Sequence, residues 1–367
     1  MKIIAYYLPQ FHEVPENSEW WGEGFTEWDN VKKAQPLFEG HHQPRVPLDN
    51  NYYDLSDDTV MKWQVKLARE YGVYGFCFYH YWFSGKLLLE KPILQYLKNP
   101  ELDLPFCFCW GNESWTKTWV GNEGKTLMKQ EYGNIDTWEK HFEFLLPFFK
   151  DARYIKNDGK PLFIVHRGEY LPSGMLEYWS KLATECGLPG IDFGFNRSGH
   201  KNNFEADNIS YFIDFQPKCA VAASRSRLMS FVYNVGNYAI HNFGLKIRNS
   251  LKQTHTIVDF HDVWDKIICS VPISEKNIPG AYIGWDNSPR YGKRAKIHVN
   301  NSPDVFEYYL KKQIVRARDV YKKDMLFMFA WNEWSEGAQL EPDEKYGHGY
   351  LEAVRNALNE TGEFPER

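Results

Sequence analysis

The chain has 367 residues, 17% of them aromatic, and a formal net charge of −5. That length suits one large α/β unit with a sizeable core. The negative balance argues against a nucleic-acid footprint, and the lack of any apolar run near 18 residues argues against a membrane-spanning helix.

Lys2 to Leu8 reads as the first strand, ending in Pro9-Gln10-Phe11-His12. A long aromatic loop from Trp20 to Trp28 follows, then the polar stretch Gly40 to Arg45. The first helix is expected from Ser56 to Tyr71, with Val60, Trp63, Leu67 and Tyr71 on one face and Gly72 at its end. Val73 to Tyr79 is the second strand, running into His80-Tyr81-Trp82. A helix from Leu88 to Leu97 leads to the third strand, Pro105 to Trp110, which ends in Gly111-Asn112-Glu113-Ser114-Trp115. The helix Ile135 to Phe149 precedes the fourth strand, Pro161 to His166, and the helix Met175 to Cys186 precedes the fifth, Gly190 to Phe195. The sixth lies at Tyr211 to Phe215. Residues Gln216 to Pro279 are poorly patterned and read as a long excursion, with a partial helix at Val263 to Cys269. Ala281 to Trp285 is the seventh strand, followed by Asp286 to Arg290. The helix Pro303 to Tyr321 precedes the eighth strand, Met325 to Ala330, and a last helix covers Gly349 to Leu358.

Eight strands alternating with helices predict a single (β/α)8 TIM barrel with long βα loops, with no linker or repeat dividing residues 1–367. In such a barrel the C-terminal strand ends converge on one face, where sites are built. Aromatic and polar residues gather after these strands. Tyr6, Tyr7, Trp20, His80, Tyr81, Trp82, Trp110, Asn112, Glu113, Trp285, Trp331 and Asn332 are therefore candidate substrate contacts.

The densest cluster is Trp331-Asn332-Glu333-Trp334-Ser335-Glu336-Gly337, directly after the apolar eighth strand. A core has no use for unpaired carboxylates, and a plain surface loop has little use for two indoles. Aromatic faces pack on pyranose rings, while carboxylates transfer protons or act as nucleophiles. On a turn, residues three apart share a side, so Glu333 and Glu336 can act on one bond.

The other signals are weaker. A lone His80 is more often structural than a ligand. Adjacent His41 and His42 point apart, and with His12 they supply no third well-spaced metal ligand. Asp286-Asn287 and Arg290 either bind a polar group or form a turn. The Lys218 to Arg227 run is too sparse for a phosphate patch, and no glycine-rich phosphate loop or dinucleotide fingerprint is present. No cofactor or metal is expected. The six cysteines lack zinc or disulfide spacing, and Cys77, Cys107 and Cys109 sit in apolar strands as small hydrophobes. With no signal-peptide pattern after Met1, the expectation is a reducing, cytoplasmic location.

The stretch Trp331 to Pro342 resembles the signature of glycoside hydrolase family 99, W-N-E-W-H-E-G-T-Q-I-E-P, a family of endo-acting α-mannosidases and α-mannanases. Ser335 stands where that signature has His, and Ala338 where it has Thr. The opening Ile4 to His12 and the loop Trp20 to Trp28 resemble the WbsX family of glycosyltransferases, which is associated with O-antigen or capsule polysaccharide loci. The resemblance implies the same barrel and a carbohydrate substrate. It also implies that Glu333 deprotonates the sugar's own 2-hydroxyl, which attacks the anomeric carbon, while Glu336 serves the leaving group as acid and then water as base. The readings in play are a retaining hydrolase-like enzyme, a transferase of surface-polysaccharide assembly, and a carbohydrate-binding barrel without catalysis.

Overall fold

The structure is a computed structural model that describes residues 1–116, 126–198, 208–223 and 255–366. At its centre parallel strands form a nearly closed ring. These are β1 Lys2–Tyr7, β2 Val73–Phe83, β3 Phe106–Trp110, β4 Lys160–Val165, β5 Asp192–Arg197, β6 Ile209–Asp214, β7 Asn277–Ile278, β8 Gly280–Tyr282 and β9 Met325–Phe329. Strands β1 to β6 neighbour one another in sequence order, and β9 returns to pair with β1, Lys2 opposite Met325. β7 and β8 are one stave interrupted at Pro279, which has no N–H to give a ladder. Its first half pairs with β6 and its second with β9. The nine short strands thus form the eight staves of a (β/α)8 barrel.

The main covering helices are α3 Asp58–Glu70, α4 Lys91–Lys98, α5 Ile135–Lys150, α6 Met175–Glu185, α8 Phe260–Cys269, α10 Pro303–Asp319 and α11 Gly349–Glu360. Short helices α1 Pro15–Trp21, α2 Glu27–Lys32, α7 Lys218–Ala223 and α9 Ser288–Tyr291 lie in the connecting segments. Polar caps start the longer helices by taking up otherwise unpaired N–H groups: Asp57 accepts from Thr59, Asn134 from Thr137 and Ser302 from Val305. Among the described residues no helix is long and apolar enough to cross a membrane.

Side chains alternate between two cores. Tyr6, Tyr79, Phe215 and Phe327 meet inside the barrel, with Tyr6–Tyr79 and Tyr6–Phe327 centroids 5.6 and 5.7 Å apart. Cys77, Cys107 and Cys109 are buried in the strands. The opposite parity packs on the helices: Phe78 against Tyr96, Phe106 against Phe148, and Phe163 against Trp179. Both faces are therefore apolar, as in any parallel sheet covered by helices.

Three segments depart from the sequence pattern. The aromatic loop holds α1 and α2, the latter opened by a capping box between Thr26 and Asp29. Strand β2 continues past Tyr79 to Phe83 and turns into a hairpin with Lys86–Leu88, so α4 begins only at Lys91. In the long excursion, Thr256–Asp259 pairs with Lys296–Val299, while residues 224–254 lie outside the described residues.

Candidate active site

A pocket of about 240 Å³ opens at the C-terminal mouth of the barrel. Barrel parity selects much of its wall. Leu8 continues the inward face of β1, Tyr79 and Tyr81 that of β2, Gly111 that of β3, and His166 that of β4. Phe215, Phe329, Trp21 and Trp115 add aromatic surface, and Glu113, Lys218, Arg290, Glu333 and Glu336 supply ionisable groups.

Glu333 and Glu336 reach the pocket from a tight turn that is itself pinned. Asn332–Glu333 pairs antiparallel with Ala338–Gln339, and Trp334–Glu336 forms one 3₁₀ turn between them. Gly337 closes it at φ +62°, where a Cβ would meet the Asp286 Cβ at 2.8 Å. Beneath the turn lies Glu341, which accepts from Tyr53 Oη (2.8 Å), Gln64 Nε2 (2.6 Å), Trp331 Nε1 (3.0 Å) and Trp334 Nε1 (2.7 Å). Burial pushes its carboxyl up to about 7 against the pull of those donors.

Arg290, in α9, joins the two glutamates. Its Nη1 donates to Glu336 Oε1 at 2.8 Å, and its Nη2 lies 3.6 Å from Glu333 Oε2. The other edge of the guanidinium bonds Glu27, through Nε at 2.9 Å and through Nη2. Glu27 is wholly buried at the start of α2 and also accepts from Ser335 Oγ (2.8 Å) and Asn30 Nδ2 (2.9 Å). Burial works against the Arg290 charge, but Glu27, Glu336 and Glu333 outweigh it and hold the guanidinium protonated. Glu333 Oε2 is buried without a hydrogen-bond partner among the described residues. Burial first, then repulsion from Glu336, pushes the Glu333 carboxyl up to about 8, against the pull of Arg290. The Glu333 carboxyl is therefore held in its protonated form near neutrality.

Of the sequence candidates, Tyr81, Glu113, Glu333 and Glu336 line the pocket. Tyr6 lies inside the barrel, and Trp285 stacks behind Phe329 at 5.6 Å. The others take different places. Tyr7 donates to Gln64 on α3, and His80 bonds His141 on α5 (Nε2–Nε2 2.8 Å). Trp82 stacks on His141 at 4.5 Å, Trp110 donates to the Trp82 carbonyl, and Trp331 packs on Phe76. All five have the parity that faces the helices or follow it there. Asn112 ties its loop to Arg167 through both backbone groups, and Asn332 does the same to Leu8. Trp20 packs edge-on against Trp115, 5.9 Å away. His41 is held by Asp286, its Nε2 2.8 Å from Oδ2. Sequence reasoning does not single out Tyr79, His166 or Lys218. Extending the strand parity to the loop side finds the first two.

Comparison with known proteins decides the family. The family described as Glycosyltransferase WbsX matches residues 3–354. This chain belongs to the WbsX glycosyltransferase family. The uncharacterized protein WxcX of Xanthomonas campestris pv. campestris strain B100 is 33% identical over 365 residues, covering 97% of this chain and 49% of that protein. WxcX of strain ATCC 33913 is also 33% identical, over 366 residues, with the same coverage of both chains. The WbsX chain thus spans about half the length of the curated relatives it matches. Among solved structures, the GH99 endo-alpha-mannosidase of Bacteroides thetaiotaomicron superposes with a TM-score of 0.56 at 12% identity, covering 98% of this chain and 97% of that one. A glycoside hydrolase-like protein gives 0.57 at 11%, covering 97% and 93%. At such identities the likeness is one of fold.

Proposed function

We propose that this WbsX protein is a retaining glycosidase-like enzyme acting on an α-linked oligo- or polysaccharide, with Glu333 and Glu336 as its reacting carboxyls. The observation that supports this best is two glutamates on one guanidinium, facing an aromatic-walled pocket at the end of a barrel strand. In the route implied by the family resemblance, the sugar's 2-hydroxyl oxygen attacks the anomeric carbon and gives its proton to one glutamate. The departing oxygen takes a proton from the other, leaving a 1,2-anhydro sugar. Water then opens that ring with the proton transfers reversed, so configuration is retained.

The resting geometry favours the proton on Glu333, which is buried and unbonded, with Glu336 ion-paired to Arg290. The resemblance puts the acid on Glu336, which requires the proton to cross when a sugar enters. Leaving-group dependence separates the two. The glutamate whose Gln variant slows poor leaving groups by about 10²–10⁴-fold, yet spares activated aryl glycosides, is the acid. The other variant fails on both.

The family description favours a second reading, glycosyl transfer. Incubation with an α-mannoside-containing glycan panel, with and without nucleotide sugars, tests the main reading. Release of sugar without nucleotide supports it. Product formation that depends on a nucleotide sugar replaces it with transfer.

A further inference from the structure

His166 stands at the pocket wall with a defined orientation that the glutamate pair does not explain. Its ring is clamped edge-on between Phe215 (5.1 Å) and Tyr79 (6.5 Å). Its Nδ1 is 3.0 Å from Asn196 Nδ2, and Asn196 Oδ1 is 2.5 Å from the buried Tyr6 hydroxyl. The direction of this chain follows from Tyr6. Burial keeps its phenol protonated, and a buried O–H needs an acceptor, which here is Asn196 Oδ1. Asn196 must then offer its N–H to His166, with a second contact to Cys109 Sγ at 3.5 Å. So Nδ1 is the acceptor and Nε2 carries the hydrogen. Burial, reinforced by the Lys218 and Arg167 charges, holds the imidazole at about 3, so it stays neutral.

That Nε2 lies 3.7 Å from Glu113 Oε2, too far for a hydrogen bond. Glu113 is fixed by Arg167, whose Nη1 donates to Oε1 at 2.9 Å and leaves Oε2 to the pocket. A hydroxyl oxygen placed about 2.8 Å from both atoms would accept from His166 and donate to Glu113. We infer that His166 and Glu113 form a notch that reads one free hydroxyl of the bound sugar, with Tyr6 and Asn196 as the positioning residues that keep His166 a donor. This rests on the carbohydrate reading above. It excludes sugars alkylated or acylated at that hydroxyl, because the notch demands both a donor and an acceptor from one oxygen.

Two measurements test it. In ¹⁵N-resolved NMR, His166 should show the Nε2–H tautomer and no titration from pH 8 to 5. An Nδ1–H tautomer, or an imidazolium near neutrality, overturns the inference. The second is calorimetry with methyl α-mannobioside and its monodeoxy analogues. One deoxy position should weaken binding about 10- to 100-fold in the unaltered protein, as for loss of a hydrogen bond to a charged group, yet change nothing in His166→Ala. Tyr6→Phe should shrink the same difference, and His166→Gln should restore part of it. Binding of the parent disaccharide with no deoxy position coupled to His166 overturns the notch while leaving the carbohydrate reading intact. Failure of the whole glycan panel to bind overturns the carbohydrate reading, and the notch falls with it.

Discussion

At the scale of single residues the site turns on Glu27 and Arg290. Sequence reasoning left Arg290 between a polar contact and a turn, and gave Glu27 no role. The structure makes them one buried ion pair that presents the Nη1 of Arg290 to Glu336. Removing one partner of such a pair leaves an uncompensated buried charge, at about 3–5 kcal/mol. Arg290→Met and Glu27→Gln should each destabilise in that direction, and the double variant by less than their sum in a denaturant-unfolding cycle. Arg290 also opposes the rise of the Glu333 carboxyl to about 8. If activity needs the Glu333 proton, it falls as pH rises past about 8. In Arg290→Gln that limb should move to higher pH, because the cation that lowers the value is gone. An unmoved limb in a pH–kcat/KM profile would separate Arg290 from the proton.

At the scale of elements, the strand-helix order and most of the barrel were legible, because runs such as Phe106-Cys107-Phe108-Cys109-Trp110 have no alternation and must be covered on both faces. The same property hid the site. When both faces are apolar, sequence does not show which parity points inward, and His80, Trp82 and Trp110 look as suited to a cleft as Tyr79 and Tyr81 do. Stopping β2 at Tyr79 removed the alternation that sorts them. Contacts such as Arg290 to Glu27 link loops hundreds of residues apart, and no local pattern announces them. The turn bearing Glu333 and Glu336 was legible as a cluster, whereas its support by Glu341 was not. Glu341→Ala strands four buried donors, so it should lower stability by about 3 kcal/mol or more in urea unfolding. Gly337→Ala should cost about 1–3 kcal/mol from its left-handed backbone alone and also displace Glu336, seen as a lower melting temperature together with lower kcat.

At the scale of the whole molecule, buried titratable groups set the pH at which the barrel is most stable. Burial lowers His12 to about 4 and His80, His166 and His298 to about 3, and lowers His141 as well. Each imidazole protonates more readily in the unfolded chain, near 6.5, so its stability contribution is lost as pH falls below that value. Glu333 and Glu341 are raised to about 8 and 7. Their contribution is complete below the unfolded value near 4.5 and is lost as pH rises through those values. Burial also lowers His42 and raises Asp214, so six imidazoles outnumber three carboxyls, and the melting temperature should peak near neutrality and fall toward pH 5. A flat profile between pH 7 and 5 would remove this linkage.

The pairing of β1 with β9 has a further consequence. The bonds that shut the barrel, Trp331 N to the Tyr6 carbonyl and Asn332 to Leu8, are also the bonds that seat the glutamate turn. During synthesis β1 emerges before the other staves, and the edge that takes β9 stays unpaired until that last stave emerges. A half-made chain therefore has neither a closed wall nor a seated turn, and Glu333 and Glu336 come together only once the last stave has docked.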